Sequence, residues 1–178
     1  LINNNYNGNV TDCNVINNTG NYGGAIYAGI GSNGLLNVTG SNFTDNTATN
    51  AGGAILTRFN LIVNNSTFIN NTALNTNNSN GGGAIVDYSN TNNYLKVINS
   101  TFESNTANIN GGAVSWKTGN VNITNSIFTD NNANINGGAV YSNGDFNVKG
   151  SNCTYNTATN IGGAIYGNDV IDVKNSNF

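Results

Sequence analysis

The sequence predicts an all-β fold, a right-handed parallel β-helix with three strands per turn and about six to seven turns. Three observations predict it. Gly-Gly-Ala-Ile/Val occurs six times, beginning at Gly23, Gly52, Gly82, Gly111, Gly137 and Gly162, at intervals of 29, 30, 29, 26 and 25 residues. Self-similarity at such a period marks a stacked repeat. Between successive copies runs an apolar-x-apolar pair followed by Ser-x-Phe, and no segment carries the 3.6-residue spacing of an amphipathic helix.

Each element of the unit has its own reason. Gly-Gly-Ala-Ile opens it, the paired glycines permitting a backbone turn that a Cβ would forbid. The pairs Leu36/Val38, Leu61/Val63, Leu95/Val97, Val121/Ile123, Phe146/Val148 and Ile171/Val173 alternate with period two, as a short strand does. Ser41, Ser66, Ser100, Ser126, Ser151 and Ser176 come three residues later. Two residues beyond stand Phe43, Phe68, Phe102, Phe128, Cys153 and Phe178. Three further stand Asn46, Asn71, Asn105, Asn131 and Asn156. Val10–Asn18 is a degenerate opening copy.

Coiling such units sets each strand beside its own copy, roughly 4.8 Å away. Identical residues then stack in columns. A Phe column fills the bore, and an Asn column bonds amide to amide along the axis. The expected organisation is one solenoid domain over 1–178, with repeats near 1–22, 23–51, 52–81, 82–110, 111–136, 137–161 and 162–178. In a flat strand the Ala and Ile of the opening motif point to opposite faces. Ile inside is the preferred reading, with Ala, Tyr27, Tyr141 and Tyr166 outside; Ala inside is the alternative. Cys13 takes the Ser position and Cys153 the Phe position, so about 24 Å separates them at strand spacing. A bridge spans at most roughly 7 Å between Cα atoms. Two free thiols are expected.

Composition narrows the function. Of 178 residues 45 are Asn, only 7% are charged, and the net charge is −3 with five scattered basic residues. No basic footprint for nucleic acid or an anionic membrane is present. No apolar run approaches the roughly 20 residues of a membrane span. No signal peptide opens the sequence, and Leu1 suggests a processed chain or a piece of a longer one. Eleven Asn-x-Ser/Thr sequons, Asn9 and Asn152 among them, are glycosylation acceptors only if the protein is exported.

Gly52–Ile55 with Phe43–Asn46, Gly82–Ile85 with Phe68–Asn71, Gly111–Val114 with Phe102–Asn105 and Gly137–Val140 with Phe128–Asn131 form a motif pair. This pairing resembles the repeats of chlamydial polymorphic outer-membrane proteins. The Asn- and Thr-rich wording is similar to adhesin-like surface proteins of methanogenic archaea. The last pair departs, with Cys153 before Gly162–Ile165. The resemblance implies export, cell-surface display and adhesion.

Without His or a closely spaced Cys pair there is neither a zinc site nor a Ser-His-Asp triad, and no cofactor is expected. Glycoside hydrolysis needs two carboxyls about 5–10 Å apart. Asp45 and Asp130 fall three turns apart, near 14 Å. Asp145 and Asp169 lie on corners of adjacent turns and read as solvated turn aspartates. No catalytic residue is assigned.

Binding is expected at the loops near 27–35, 58–59, 87–94 and 116–117, with a further insertion at Leu74–Asn80. There Arg58, Asp87, Tyr88, Tyr94, Trp116 and Lys117 gather on three successive turns as candidate ligand contacts. The sequence thus points to an extracellular adhesin-like stalk whose partners are other cells, surface glycans or proteins. Head-to-tail stacking into a filament is the alternative, because the chain starts and stops inside the repeat pattern. A polysaccharide lyase or hydrolase is a more distant one.

Overall fold

Strand formation here follows from columns, because a three-residue strand has no stability unless its copy lies beside it. A computed structural model describes residues 5–29, 33–75 and 81–178. Among them the strands form four parallel sheets, one of seven strands and three of six. In chain order, sheet A begins with Asn5–Thr11, sheet B with Asn14–Ile16, sheet C with Thr19–Tyr22 and sheet D with Ile26–Ala28. No helix is present among the described residues, and none is long and apolar enough to cross a membrane.

The apolar-x-apolar pairs build sheet A, Ser-x-Phe builds sheet B, and the opening motif leads into sheet D. Sheet C is one strand per turn more than the three that the motifs marked. Its later members are the pairs Thr72–Ala73, Thr106–Ala107, Asn132–Ala133 and Thr157–Ala158. Two residues are too short to show an alternation, so periodicity could not reveal them. Ala48, Ala73, Ala107 and Ala133 are buried in register.

Register is kept turn after turn. Phe43, Phe68, Phe102 and Phe128 pair directly, with ring centroids 4.7, 4.8 and 4.7 Å apart and planes within 2° of parallel. The strand spacing holds the rings face to face in a dry bore. Beside them the Asn ladder uses its whole hydrogen-bonding capacity. Asn71 Oδ1 accepts from both the backbone N–H and Nδ2 of Asn46, at 3.1 and 2.9 Å. Asn71 Nδ2 donates to Asn105 Oδ1 at 3.0 Å and to the Phe43 carbonyl at 3.0 Å. Asn105 and Asn131 repeat this pattern toward the next turn. Two donors and two acceptors are satisfied per amide, so burial carries no unpaired polar atom.

A second ladder runs through the serines. Ser66 N–H donates to Ser100 Oγ at 3.2 Å, and Ser66 Oγ donates to the Asn64 carbonyl at 2.9 Å. Cys13 does the same work with sulfur: its N–H donates to Ser41 Oγ, and its thiol to the Thr11 carbonyl. Both cysteines are free.

The opening motif corrects the outward Ala column. Ala54, Ala84, Ala113 and Ala139 are fully buried in the same core as Ile55, Ile85, Val114 and Val140. Ala54 N–H and Ile55 N–H both donate to the Ala84 carbonyl, at 2.9 and 2.8 Å. The backbone therefore bends between the two residues, and the alternation of a flat strand does not apply. Ile faces in as expected, and Ala joins it. The next residue faces out: Tyr27, Leu56, Val86, Ser115, Tyr141 and Tyr166 form one column. The two glycines differ in purpose. Gly52 has φ +68°, and a Cβ there would strike the Ile55 carbonyl; one on Gly53 would strike the Gly83 carbonyl of the next turn.

Two further corners per turn also take left-handed φ. Asn65, Asn99, Asn125 and Asn175 precede the serines, and Asp45, Asn70 and Asp130 precede the ladder asparagines. Asn and Asp tolerate this region better than other side chains, which accounts for six asparagines, Asn17 among them.

Two outcomes are expected. Asn105→Ala strips acceptors and donors from three turns at about 1–3 kcal/mol per buried group left unpaired, lowering the urea midpoint far more than Asn122→Ala on the outer surface. Burial pushes the Cys153 thiol up to about 12, so a neutral alkylating reagent should label exposed Cys13 and spare Cys153 in the native protein, as peptide mass mapping would show.

Candidate functional site

The longest described insertion follows the sheet D strand Ile85–Asp87 and ends where Leu95–Ile98 begins. Thr57, Asp87 and Ser142 end their sheet D strands, and in these three of the six turns the side chain closes the corner that follows. Thr57 Oγ1 accepts the Phe59 N–H at 3.0 Å, and Ser142 Oγ accepts the Gly144 N–H at 3.3 Å. Asp87 does this for Ser89 through Oδ1 at 3.1 Å. Trp116 stands in the same register position, and its side chain has no acceptor for Thr118. Asp87 supplies the missing one: Oδ2 accepts the Thr118 N–H at 3.2 Å and lies 3.1 Å from its hydroxyl. One carboxylate thus closes two successive corners.

Trp116 in turn anchors the insertion. Its indole is 0% exposed within the core, and Nε1 donates to the Asn93 carbonyl at 3.1 Å. Asn93 Nδ2 donates to the Arg58 carbonyl at 2.7 Å, which ties the loop to the turn before. Lys117 Nζ donates to Asn90 Oδ1 at 2.8 Å. Burial pushes the Asp87 carboxyl above its ordinary value, against the opposing hydrogen bonds from Ser89 and Thr118.

The six predicted contact residues therefore meet at one corner but divide in use. Asp87 and Trp116 are enclosed and present no surface to a ligand. The strand alternation that turns them inward also explains why a lone Trp reads as an exposed platform until register is known. Arg58 lies beside Gly29 and holds its guanidinium 5.5 Å from the Tyr88 ring centroid. Tyr88 and Tyr22, 5.7 Å apart, pack against Ala51, Leu56 and Val86 in a small apolar cluster outside sheet D. Tyr94 and Lys117 remain partly exposed. Residues 30–32 of the 27–35 loop and 76–80 of the Leu74–Asn80 insertion lie outside the described residues.

Tyr94 faces a different feature, an open cleft of about 590 Å³ along the corner between sheets D and A. Its own turn contributes Asn92 and Tyr94; the next gives Thr118, Gly119 and Asn120; the third gives Asn143, Gly144 and Asp145; the fourth gives Asp169. The volume falls in the range of ordinary ligand clefts, about 300–1,000 Å³. Its floor is glycine because the turns approach closely there. A Cβ on Gly119 would strike the Asn93 carbonyl, and one on Gly144 the Gly119 carbonyl. The only charged lining groups are Asp145 and Asp169. Asp169 accepts the Val170 N–H at 3.0 Å, whereas the Asp145 carboxylate has no hydrogen-bond partner among the described residues. Among those residues no three His, Cys, Asp or Glu side chains cluster as a metal site would require. The sequence places the two aspartates on corners of adjacent turns but does not reveal the cleft they line. The available signal was Gly-Asn or Gly-Asp directly before an apolar-x-apolar strand, at Gly119-Asn120 and Gly144-Asp145.

Asp87 sets a pH dependence. Its folded pKa exceeds its unfolded one, so its contribution favours the folded state most below the ordinary carboxylate value and is lost as pH rises through the raised value. Asp87→Asn should flatten that part of the stability profile, measured by urea midpoints across the acid range. Asp87→Ala should cost about 2–4 kcal/mol at neutral pH, because two buried N–H groups lose their acceptor.

Comparison with known proteins returns one family. The Chlamydia polymorphic membrane protein repeat matches residues 40–58, the stretch that carries Phe43, Asn46 and Gly52–Ile55. No curated protein and no solved structure matches the chain. Over one turn, then, the chain is similar to a repeat of that family, and the β-solenoid extends the same motif pair through the remaining turns.

Proposed function

We propose that this chain serves as an exported, cell-surface structural repeat of the adhesin type. It is a stiff rod that holds contact loops along one corner. The observation that carries this reading is register: from Phe43 to Cys153 and from Ala48 to Ala158 the columns pair position for position through turns whose loops differ in length, the one shift lying between Gly20 and Tyr22 in the first described turn. Such a rod keeps a fixed rise of roughly 4.8 Å per turn, so whatever the corner loops carry is displayed at constant spacing.

The polymorphic membrane protein repeat match supports surface display. Repeat and fold point to a structural or adhesive role rather than to catalysis. Adhesion by a rod of this kind works through many weak contacts, where linking sites multiplies avidity without any tight individual site. Partners of such a rod are surface glycans or proteins of other cells.

Two measurements test the reading. Antibody against the chain should label intact cells of the source organism, and beads coated with the purified protein should be retained on target cells. Antigen reached only after lysis, together with beads that wash off like uncoated ones, would sink it.

A further inference from the structure

We infer that the cleft between Tyr94, Asp145 and Asp169 is a binding site for a glycan that carries free amino groups. The inference rests on the surface-adhesin reading and names the ligand class for it.

The charge of the cleft is the starting point. Its lining holds two carboxylates and no basic side chain. Asp145 has no hydrogen-bond partner among the described residues, and Asp169 uses one oxygen on the Val170 N–H. Lys96 lies over the Tyr94 ring at 5.3 Å and is not part of the lining. Two like charges on adjacent turns, with no counter-charge inside, favour a cationic occupant.

The rest of the lining selects a sugar over a simple amine. Asn92, Asn120 and Asn143 offer amides that both donate and accept, the complement of ring hydroxyls. Tyr94 supplies an aromatic wall, and its backbone is fixed by Asn60, whose Oδ1 accepts the Tyr94 N–H at 2.9 Å. The floor of Gly119 and Gly144 leaves backbone where side chains would stand. Consecutive turns repeat every 4.8 Å or so, comparable to the length of one pyranose ring, so a chain of sugars lying along the axis passes Asn92 and Tyr94, then Asn120, then Asn143 and Asp145, then Asp169. The position suits this, because the cleft is open along the corner between sheets D and A.

The probe is a hexamer of β-linked glucosamine, set against its N-acetylated form and cellohexaose, with binding followed by calorimetry where the amines are protonated. The free-amine hexamer should bind at least tenfold more tightly than either comparison. That advantage should disappear as salt is raised from about 0.01 M to 1 M, over which the screening length falls from roughly 30 Å to 3 Å. The double variant Asp145→Asn/Asp169→Asn should lose at least tenfold in affinity with an unchanged melting temperature. Tyr94→Ala should weaken all three sugars together and so provides a second test should the double variant unfold early. Equal affinity for all three sugars, no binding of any, or release of reducing ends from the probe would overturn the inference. Coated beads that hold to cells while the free-amine hexamer fails to bind would overturn it and leave the adhesin reading standing.

Discussion

The structure depends on one interaction above others, the amide ladder from Asn46 to Asn156. The inner members Asn71, Asn105 and Asn131 each spend two donors and two acceptors on neighbours above and below, and one of those bonds reaches the carbonyl of a Phe in the preceding turn. The ladder therefore couples the corner to the Phe column: a slip of one residue would orphan four polar groups at every turn as well as unstack the rings. In a chain with so few charges, this is what makes a single register decisively better than its neighbours. The serine ladder repeats the device at the preceding corner with a smaller side chain.

The departures from the repeat are where the chain does something particular. Trp116 cannot cap its own corner as Thr57, Asp87 and Ser142 do at the same position, and Asp87 supplies the cap from one turn away. A large ring thereby enters the core, and its indole N–H holds the end of the insertion. The insertion is thus fastened to the turn before through Asn93 and to the turn after through Trp116, which makes it part of the rod. A loop so fastened can hold Tyr94 against the cleft at little further entropic cost.

Low charge has a second consequence. With eight acidic and five basic residues in the whole chain, two carboxylates facing one open cleft are a quarter of its acidic complement. The rest of the cleft lining is Asn, Thr, Gly and Tyr94, so Asp145 and Asp169 are its charged groups. A rod of this composition offers neutral hydrogen-bonding surface nearly everywhere and a charged contact in few places.

The sequence by itself determined the architecture, because period and column identity are linear properties: Gly-Gly-Ala-Ile, Phe-x-x-Asn and the serines declare their stacking by recurring. It also determined the free cysteines, whose column positions set the distance between them. Sheet C was hidden, since a Thr-Ala pair carries no alternation. The inward Ala was hidden as well, because the bend between Ala54 and Ile55 depends on one carbonyl accepting two N–H groups. Only the tertiary structure could divide the corner residues. Asp87 and Tyr88 are adjacent in the chain, yet alternation buries the first and sends the second outward. Tyr94, Asp145 and Asp169 belong to three different turns, and they share a cleft only because Gly119 and Gly144 let those turns close on one another.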